Sequence, residues 1–185
     1  DELRIGRLLV IPGLRIESYD LDARADALFR RTSPNAPAQD VDETAVVPKL
    51  GLQWRADERT TVFAQYARGF RAPPFEDVNI GLDIPLFNIR AIPNPDLKSE
   101  TSDGIELGMR HEGAGFSAEF ALFGADYDDF IESKVNLGAD PDTGVLLFQS
   151  RNIGRARIYG AELKVAAPLS TTVDASASAN WTRGE

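Results

Sequence analysis

The clearest pattern in the chain is Ser102-Asp103-Gly104-Ile105-Glu106-Leu107-Gly108-Met109-Arg110-His111. From residue 104 onward, the apolar residues and His111 occupy one set of alternate positions, and glycine or charged residues occupy the other set. Successive side chains of a β-strand point to opposite faces, so this spacing predicts a strand with one apolar face and one polar face.

The same alternation recurs along the chain and predicts an all-β antiparallel meander of about seven strands. The predicted strands are residues 8–20, 46–55, 60–70, 102–110, 116 to about 131, a segment beginning near 145 and continuing through 165, and 173–181. Pro12 and Pro48 weaken two of them, because proline is tolerated mainly near strand ends or at bulges. No helix of convincing length lies between the strands.

The connections between the predicted strands alternate in length. The short ones are residues 56–59, 113–115 and 168–170, and the long ones are 21–43, 71–97 and 132–144. A meander with short turns at one end and long loops at the other is typical of outer-membrane β-barrels. Polar side chains on the second face would be costly in lipid but not in a wet lumen. They are Lys49, Gln53, Arg55, Glu106, Arg110, Glu162 and Lys164.

Composition excludes several classes of protein. The chain has 185 residues, of which 43% are hydrophobic and 26% charged, too apolar for disorder and too charged for a bundle of membrane helices. No run reaches the roughly 18 consecutive apolar residues that a transmembrane helix requires. The net charge of -9 disfavours a nucleic-acid partner, since a polyanion would be repelled.

Two sequence boxes bracket the second long connection. The first is Gly69-Phe70-Arg71-Ala72-Pro73-Pro74-Phe75-Glu76-Asp77-Val78-Asn79, and the second is Asn94-Pro95-Asp96-Leu97-Lys98-Ser99-Glu100-Thr101. Together they resemble the extracellular loop of TonB-dependent outer-membrane receptors, most closely the haem and haemoglobin uptake branch. The likeness extends more loosely from about residue 8 to the end of the chain.

The resemblance implies a place for the chain in a larger protein. It implies a transmembrane barrel of about 22 strands with a plug domain inside it, in the bacterial outer membrane and in contact with its lipid. Residues 1–185 are then a fragment of the barrel domain, with the plug and the last strands outside this chain. The implied function is capture of haem or a haem-carrying protein at extracellular loops, followed by import with energy supplied by the TonB complex through the plug. Haem is then a transported ligand, and no cofactor is expected.

The resemblance also predicts the ligand-binding residues. Proline and arginine after an interfacial aromatic would stop ladder pairing and begin an extended loop, and that loop would contact the ligand or its carrier. The predicted ligand-binding residues are Phe70, Arg71, Ala72, Pro73, Phe75, Phe87, Asn94, Pro95, Asp96 and Leu97. No catalytic or metal-binding residue is predicted.

One departure from the family pattern concerns iron. Many members resemble one another in carrying a histidine between the two boxes, but the stretch from Pro74 to Pro93 has no His, Tyr, Cys or Met. The iron ligand then comes from elsewhere, or the loop packs on a porphyrin or protein through Phe75, Ile84, Leu86 and Phe87, or the cargo is not haem. A ferric-siderophore receptor is the alternative that this absence favours.

Two further classes stay open on the sequence. A soluble β-sandwich with an adhesive or carbohydrate-binding role would show the same alternation, but it would enclose Leu50, Leu107 and Leu163 between two stacked layers. A hydrolase would depend on His111, the only histidine, in a chain without cysteine. His111 lies beside a predicted short turn, where a structural role at the inner membrane interface is expected.

Smaller motifs are interpreted structurally. Asp126, Asp128, Asp129 and Glu132 predict an acidic rim that faces solvent or lipopolysaccharide. The run Asp140-Pro141-Asp142-Thr143-Gly144 begins like a calcium loop, but its twelfth position is Arg151 where a glutamate is expected, so it predicts a turn. Gly154 and Gly160 predict close approach or coiling of a strand.

Overall fold

The computed structural model describes residues 2–32 and 38–185, which form a curled antiparallel sheet of ten strands. The strands are β1 (Leu3–Ile5), β2 (Leu8–Leu21), β3 (Val41–Arg55), β4 (Thr60–Arg71), β5 (Leu82–Ile84), β6 (Ile89–Ala91), β7 (Glu100–Glu112), β8 (Ser117–Ala139), β9 (Leu146–Pro168) and β10 (Asp174–Gly184). Two short helices, α1 (Ala27–Thr32) and α2 (Phe75–Asn79), and a 3₁₀ turn (Pro85–Phe87) lie in the connections. None of the helices described is long and apolar enough to span a membrane.

The predicted meander is confirmed. Neighbouring long strands pair antiparallel in the order β2-β3-β4-β7-β8-β9, with β10 beside β9 and the short β1 beside β2. The register aligns one row of residues across consecutive strands, so that Leu52 stands opposite Ala64, Ala64 opposite Leu107, Leu107 opposite Leu122 and Leu122 opposite Ala161. Each apolar residue therefore has an apolar neighbour on the same face.

Among the residues that the structure describes, none forms a second layer over the apolar face of the sheet. Leu50, Leu107 and Leu163 are 39%, 53% and 43% exposed. A sandwich would bury these side chains between two sheets, so that alternative is wrong. We call this surface the apolar face. Its exposed members include Leu14, Ile16, Val46, Leu50, Val62, Ile105, Leu107, Met109, Phe120, Leu122, Leu163, Val165 and Trp181.

The opposite surface, here the polar face, carries charges that pair across strands. Arg110 of β7 donates to Glu119 of β8 at 2.9 Å, and Lys164 of β9 lies 4.0 Å from the same carboxylate. Gln65 stands opposite Glu106 on the same face. The prediction of a polar face with mixed charges is confirmed.

The third predicted long loop is wrong. Residues 132–144 lie mostly in β8, which runs to Ala139, so that only residues 140–145 connect it to β9. Register shifts between Glu132 and Val135 and between Asn136 and Gly138 interrupt the alternation. A bulge adds a residue to one strand and moves later side chains to the other face, which hid this stretch of β8 from a simple alternation pattern.

Two other predictions about the strands need correction. Residues 41–43 belong to β3, and residues 33–37 of the first long loop lie outside the described part of the chain. Pro12 and Pro48 stand inside β2 and β3 and not near their ends. Pro48 lies just beyond the pairing on the other edge of its strand, since β4 pairs with β3 only as far as Lys49. The missing N–H of Pro48 is therefore not needed by β4.

Candidate ligand-binding loop

The connection between β4 and β7, residues 72–99, has a structure of its own. We call it the β4–β7 loop. It contains α2 and a small hairpin of β5 and β6, and β6 pairs in parallel with residues 146–148 of β9. The expectation of an extended loop is therefore wrong, because this connection folds back and joins the sheet.

A buried apolar cluster holds the base of the loop. Val78 of α2 and Leu97 are 1% and 7% exposed, and they pack with Val41 of β3 and Ile131 of β8. Tyr19 and Leu21 of β2 lie against this cluster. Among the described residues these side chains form the main buried apolar group, so the loop base supplies much of what is buried in this structure.

Asn79 fixes the end of α2. Its side chain is 1% exposed, its Oδ1 accepts a hydrogen bond from the Gln39 backbone N–H at 2.6 Å, and its Nδ2 donates to the Gln39 carbonyl at 3.0 Å. An asparagine amide offers both a donor and an acceptor, so it can satisfy both backbone groups of one residue. This contact joins the loop to the segment that leads into β3.

Asn94 connects the second box to β9 and to α2. Its Nδ2 donates to the Ser150 carbonyl at 2.9 Å, and its Oδ1 accepts from the Asp96 backbone N–H at 3.1 Å. Its own backbone N–H donates to the Asp77 carbonyl at 2.8 Å. The polar groups of Asn94 are thus occupied by the protein itself.

Asn152 of β9 forms hydrogen bonds with the next part of the same segment. Its Oδ1 accepts from the Lys98 backbone N–H at 2.8 Å, and its Nδ2 donates to the Lys98 carbonyl at 3.0 Å and to the Asp129 carbonyl at 2.6 Å. Gln149, also on β9, donates to the Pro93 carbonyl at 3.0 Å. Two side chains of β9 therefore hold the strand-like segment that leads into β7.

An ion pair joins the two ends of the β4–β7 loop. Arg71 lies 3.8 Å from the Glu100 carboxylate, which also accepts from the Ile131 backbone N–H at 2.8 Å. Pro73 is fully buried. Residues 71 and 100 face each other in the β4–β7 ladder, so these contacts close the two ends of the loop together.

The tip of the loop, residues 80–88, exposes large apolar side chains. Leu86 and Phe87 are 86% and 66% exposed. Asn88 follows in the left-handed region with φ 54°, and its Nδ2 donates to the Gly144 carbonyl at 2.9 Å. The tip is therefore fixed beside the β8–β9 turn while its apolar side chains face outward.

The structure divides the predicted binding residues into three groups by their exposure. Pro73 and Leu97 are buried, and Phe70, Ala72, Phe75, Asn94 and Pro95 are half-buried. Arg71, Phe87 and Asp96 are exposed. Sequence reasoning missed Asn79 and Asn152, because an asparagine that clamps a distant backbone has no local signature.

Nothing in the described part of the chain forms a group of three or more His, Cys, Asp or Glu that could hold a metal ion. His111 accepts or donates a hydrogen bond with Thr60 at 3.1 Å and stacks on Phe116, with ring centroids 4.8 Å apart. It lies beside the short turn between β7 and β8, where a structural role was expected. Asp126 and Asp128 of the predicted acidic rim form ion pairs with Arg157 and Arg155.

The Asp140 segment is a turn, as predicted. The Asp140 carboxylate accepts hydrogen bonds from the Thr143 backbone N–H at 2.8 Å, the Thr143 hydroxyl at 2.9 Å and the Asp142 N–H at 3.0 Å. These donors, chiefly the Thr143 backbone N–H, hold the pKa of Asp140 below its ordinary value.

This architecture defines a class of protein. A meander with one exposed apolar face, one polar face and short turns opposite long loops is the wall of an outer-membrane β-barrel. The chain belongs to the TonB-dependent receptor family, since the family's β-barrel profile, described as TonB dependent receptor-like, beta-barrel, matches residues 1–185. That family consists of receptors and transporters located in the outer membrane.

Relatives include proteins named for iron regulation and for hemoglobin binding. The chain is 29% identical over 144 residues to the iron-regulated outer membrane virulence protein of Vibrio cholerae serotype O1, covering 75% of this chain and 22% of that protein. It is 33% identical over 119 residues to hemoglobin and hemoglobin-haptoglobin-binding protein B of Haemophilus influenzae, covering 62% of this chain and 11% of that protein. The chain thus spans about a fifth or less of the length of these relatives.

Solved structures show the same fold at low identity. The siderophore receptor PirA from Pseudomonas aeruginosa aligns with a TM-score of 0.72 and 22% identity over 96% of this chain and 31% of that chain. The copper transporter OprC aligns with a TM-score of 0.75 and 19% identity over 98% of this chain and 26% of that chain. These likenesses concern the barrel wall and leave the cargo open.

Proposed function

We propose that this chain is the ligand-capturing part of a TonB-dependent receptor that imports haem, or haem taken from a carrier protein. The observation that carries the proposal is the tip of the β4–β7 loop, where Leu86 and Phe87 are 86% and 66% exposed at the long-loop end of the sheet. Exposed apolar side chains of this size on an ordered loop mark a contact surface for an apolar partner. A porphyrin face or a protein surface has that chemistry.

Several relatives support the proposal of a haem cargo. Two of the proteins with 33–34% identity are named for hemoglobin and haptoglobin, and their similarity covers 62% and 44% of this chain. The two boxes around the loop resemble the same branch. We therefore assign haem or a haem protein as the ligand, Phe70, Arg71, Phe75 and Phe87 as contacts, and the TonB complex as the source of energy for import.

The loop would bind its ligand by packing and not by coordinating iron. The stretch from Pro74 to Pro93 has no His, Tyr, Cys or Met, so the usual axial ligands are absent from it. An apolar tip would bury area against the porphyrin or its carrier, at roughly 25 cal/mol for each Å² removed from water. Binding at this loop would then be insensitive to the oxidation state of the iron.

A ferric siderophore is the second candidate. The absence of an iron ligand in the loop favours it, because a siderophore brings its own ligands for iron and needs none from the protein. PirA and the ferric enterobactin receptor from Pseudomonas aeruginosa share the fold of this chain.

The deciding experiment titrates the complete receptor, purified in detergent, with haem, a haem protein and a set of ferric siderophores. We expect saturable binding of haem or the haem protein at micromolar concentration or below, and weakening by Leu86→Ser with Phe87→Ser. A matched control is Leu169→Ser, a leucine that is 69% exposed in the short turn before β10. Failure of haem and the haem protein to bind, with a siderophore binding instead, would overturn the proposal.

A further inference from the structure

We infer that the second box and Asn152 form a clasp that positions the β4–β7 loop, and that Asn94 and Leu97 of the box do not themselves contact ligand. This inference rests on the proposed function for the part that concerns ligand binding. The clasp consists of Asn94, Leu97, Lys98, Gln149 and Asn152. Its role would be to hold the apolar tip in place, which makes its members positioning residues for capture.

The first observation behind the clasp is the path of the loop along β9. Residues 89–91 of β6 pair in parallel with residues 146–148 of β9, and the Ile92 N–H then donates to the Phe148 carbonyl at 2.8 Å. Pro93 and Asn94 continue the same course, bonded to Gln149 and to the Ser150 carbonyl. The loop thus follows the edge of β9 from residue 89 to Asn94, the first residue of the box.

The second observation is the kind of contact that joins the loop to β9. After Ile92, backbone pairing is replaced by side-chain amides, which reach the backbone of the loop from β9 or the backbone of β9 from the loop. Asn152 satisfies both the N–H and the carbonyl of Lys98, as a partner strand would. Because unsatisfied backbone groups are costly when they are shielded from water, loss of this amide would release the segment.

The third observation concerns Asn94 and Leu97, whose side chains are already engaged within the protein, whereas Asp96 and Lys98 beside them are exposed. Both side-chain polar atoms of Asn94 are occupied, by the Ser150 carbonyl and the Asp96 N–H. Leu97 is 7% exposed and packs against Val78 and Ile131. A ligand would have to break the hydrogen bonds of Asn94 or open the buried cluster around Leu97 to bind these side chains, whereas Leu86 at the tip is 86% exposed.

Positioning of this kind strengthens binding through preorganisation. A loop already held in its binding conformation does not lose conformational entropy when the ligand arrives. The clasp would therefore raise affinity without touching the ligand. Contact residues at the tip and positioning residues at the clasp should respond differently to mutation.

The test compares Asn94→Ala and Asn152→Ala in the complete receptor, purified in detergent. We expect hydrogen exchange at residues 89–98 to become at least about tenfold faster, and haem or haemoglobin binding to weaken by about tenfold, because backbone groups that hold the loop lose their partners. Asn136→Ala is the matched control, since Asn136 lies in the same β8–β9 hairpin and its side chain accepts only from the Gly138 N–H of its own strand among the described contacts. It should change neither quantity.

Two further measurements make the outcomes distinct. Leu86→Ser should weaken binding while exchange at residues 89–98 stays unchanged, and heat-modifiable migration in gels confirms that each variant has a folded barrel. Weaker binding in Asn94→Ala without faster exchange would show direct ligand contact by the box and overturn the inference, as would unchanged exchange in both clasp variants. If the parent receptor binds no haem compound, the proposed function fails while the exchange measurement still decides the clasp.

Discussion

The membrane part of the sheet and the β4–β7 loop are stabilised in different ways. In the sheet, neighbouring strands pair through continuous backbone ladders, such as the twelve-residue register of β4 with β7. In the loop, short elements are joined by the side chains of Asn79, Asn94 and Asn152 and by a small buried cluster. In the first region a side chain can be exchanged for another of the same polarity except where strands approach closely, whereas in the second region its identity matters.

This difference explains at which positions a particular residue type is required. A backbone ladder forms with almost any residue, so the apolar face needs only to be apolar and the polar face only to be hydrated. A side-chain amide that bridges two backbone groups cannot be replaced by another residue type of the same polarity. Substitutions should therefore act by polarity in the sheet and by identity in the loop.

The largest expected effect is a charge on the apolar face. Leu107→Arg should destabilise the folded barrel by about 2–4 kcal/mol, the cost of arginine near the middle of the bilayer. Urea unfolding of the complete receptor in lipid vesicles measures it. Glu106→Arg is the control, since the adjacent residue lies on the polar face beside Gln65. Equal destabilisation by both variants would contradict the assignment of the two faces.

A smaller effect should come from a side chain at a close approach of strands. A Cβ on Gly160 would collide with the Trp181 carbonyl and lie 2.6 Å from the Phe123 ring, whereas one on Gly154 would meet nothing within 4 Å. We expect Gly160→Val to cost about 1–3 kcal/mol by overpacking and Gly154→Val to cost much less, in the same unfolding measurement. A reversed order would show that the strands separate more easily than the ladder suggests.

A milder change tests the loop base. Ile131→Val removes one methylene from the buried cluster, and we expect a loss of about 0.5–1.5 kcal/mol. Because Ile131 packs on Val78 and Leu97, the loss should appear as faster hydrogen exchange in the β4–β7 loop, with little change in β7 or β10. Ile153→Val, at a residue that is 40% exposed on β9, should leave exchange in the loop unchanged.

The smallest effect concerns the turn at Asp140. Its pKa is held below the ordinary value by donors from Thr143, so the carboxylate stabilises the turn above the ordinary pKa of about 3.9, and this stabilisation is lost as the pH falls through the lowered value. A spin label at Asp142→Cys should become more mobile in that acid range. In an added Asp140→Asn background, the mobility should not depend on pH, because the amide does not titrate.

More of the fold than of the candidate ligand-binding loop could be predicted from the sequence. Alternation in β3, β4, β7 and β10 is local, and reading every second residue identifies each face. The part of β8 after Glu132 was not predicted as a strand, because bulges there shift the alternation of its side chains. The two boxes located the long connection between β4 and β7, but not which of its residues face outward, since the contacts of Asn94 and Asn152 join positions 56 and 54 residues from their partners. Such pairings depend on the three-dimensional course of the chain.

The length of the β8–β9 hairpin determines how far from the membrane an approaching molecule first meets the protein. Both strands have 23 residues, and the part of β8 beyond Asp126 rises on the order of 40 Å along the strand at about 3.3 Å per residue. A bulky carrier would meet the Asp140 turn before it met the bilayer, while a small chelate could pass beside the hairpin. Shortening the hairpin in register would therefore alter the approach of large cargo more than that of small cargo.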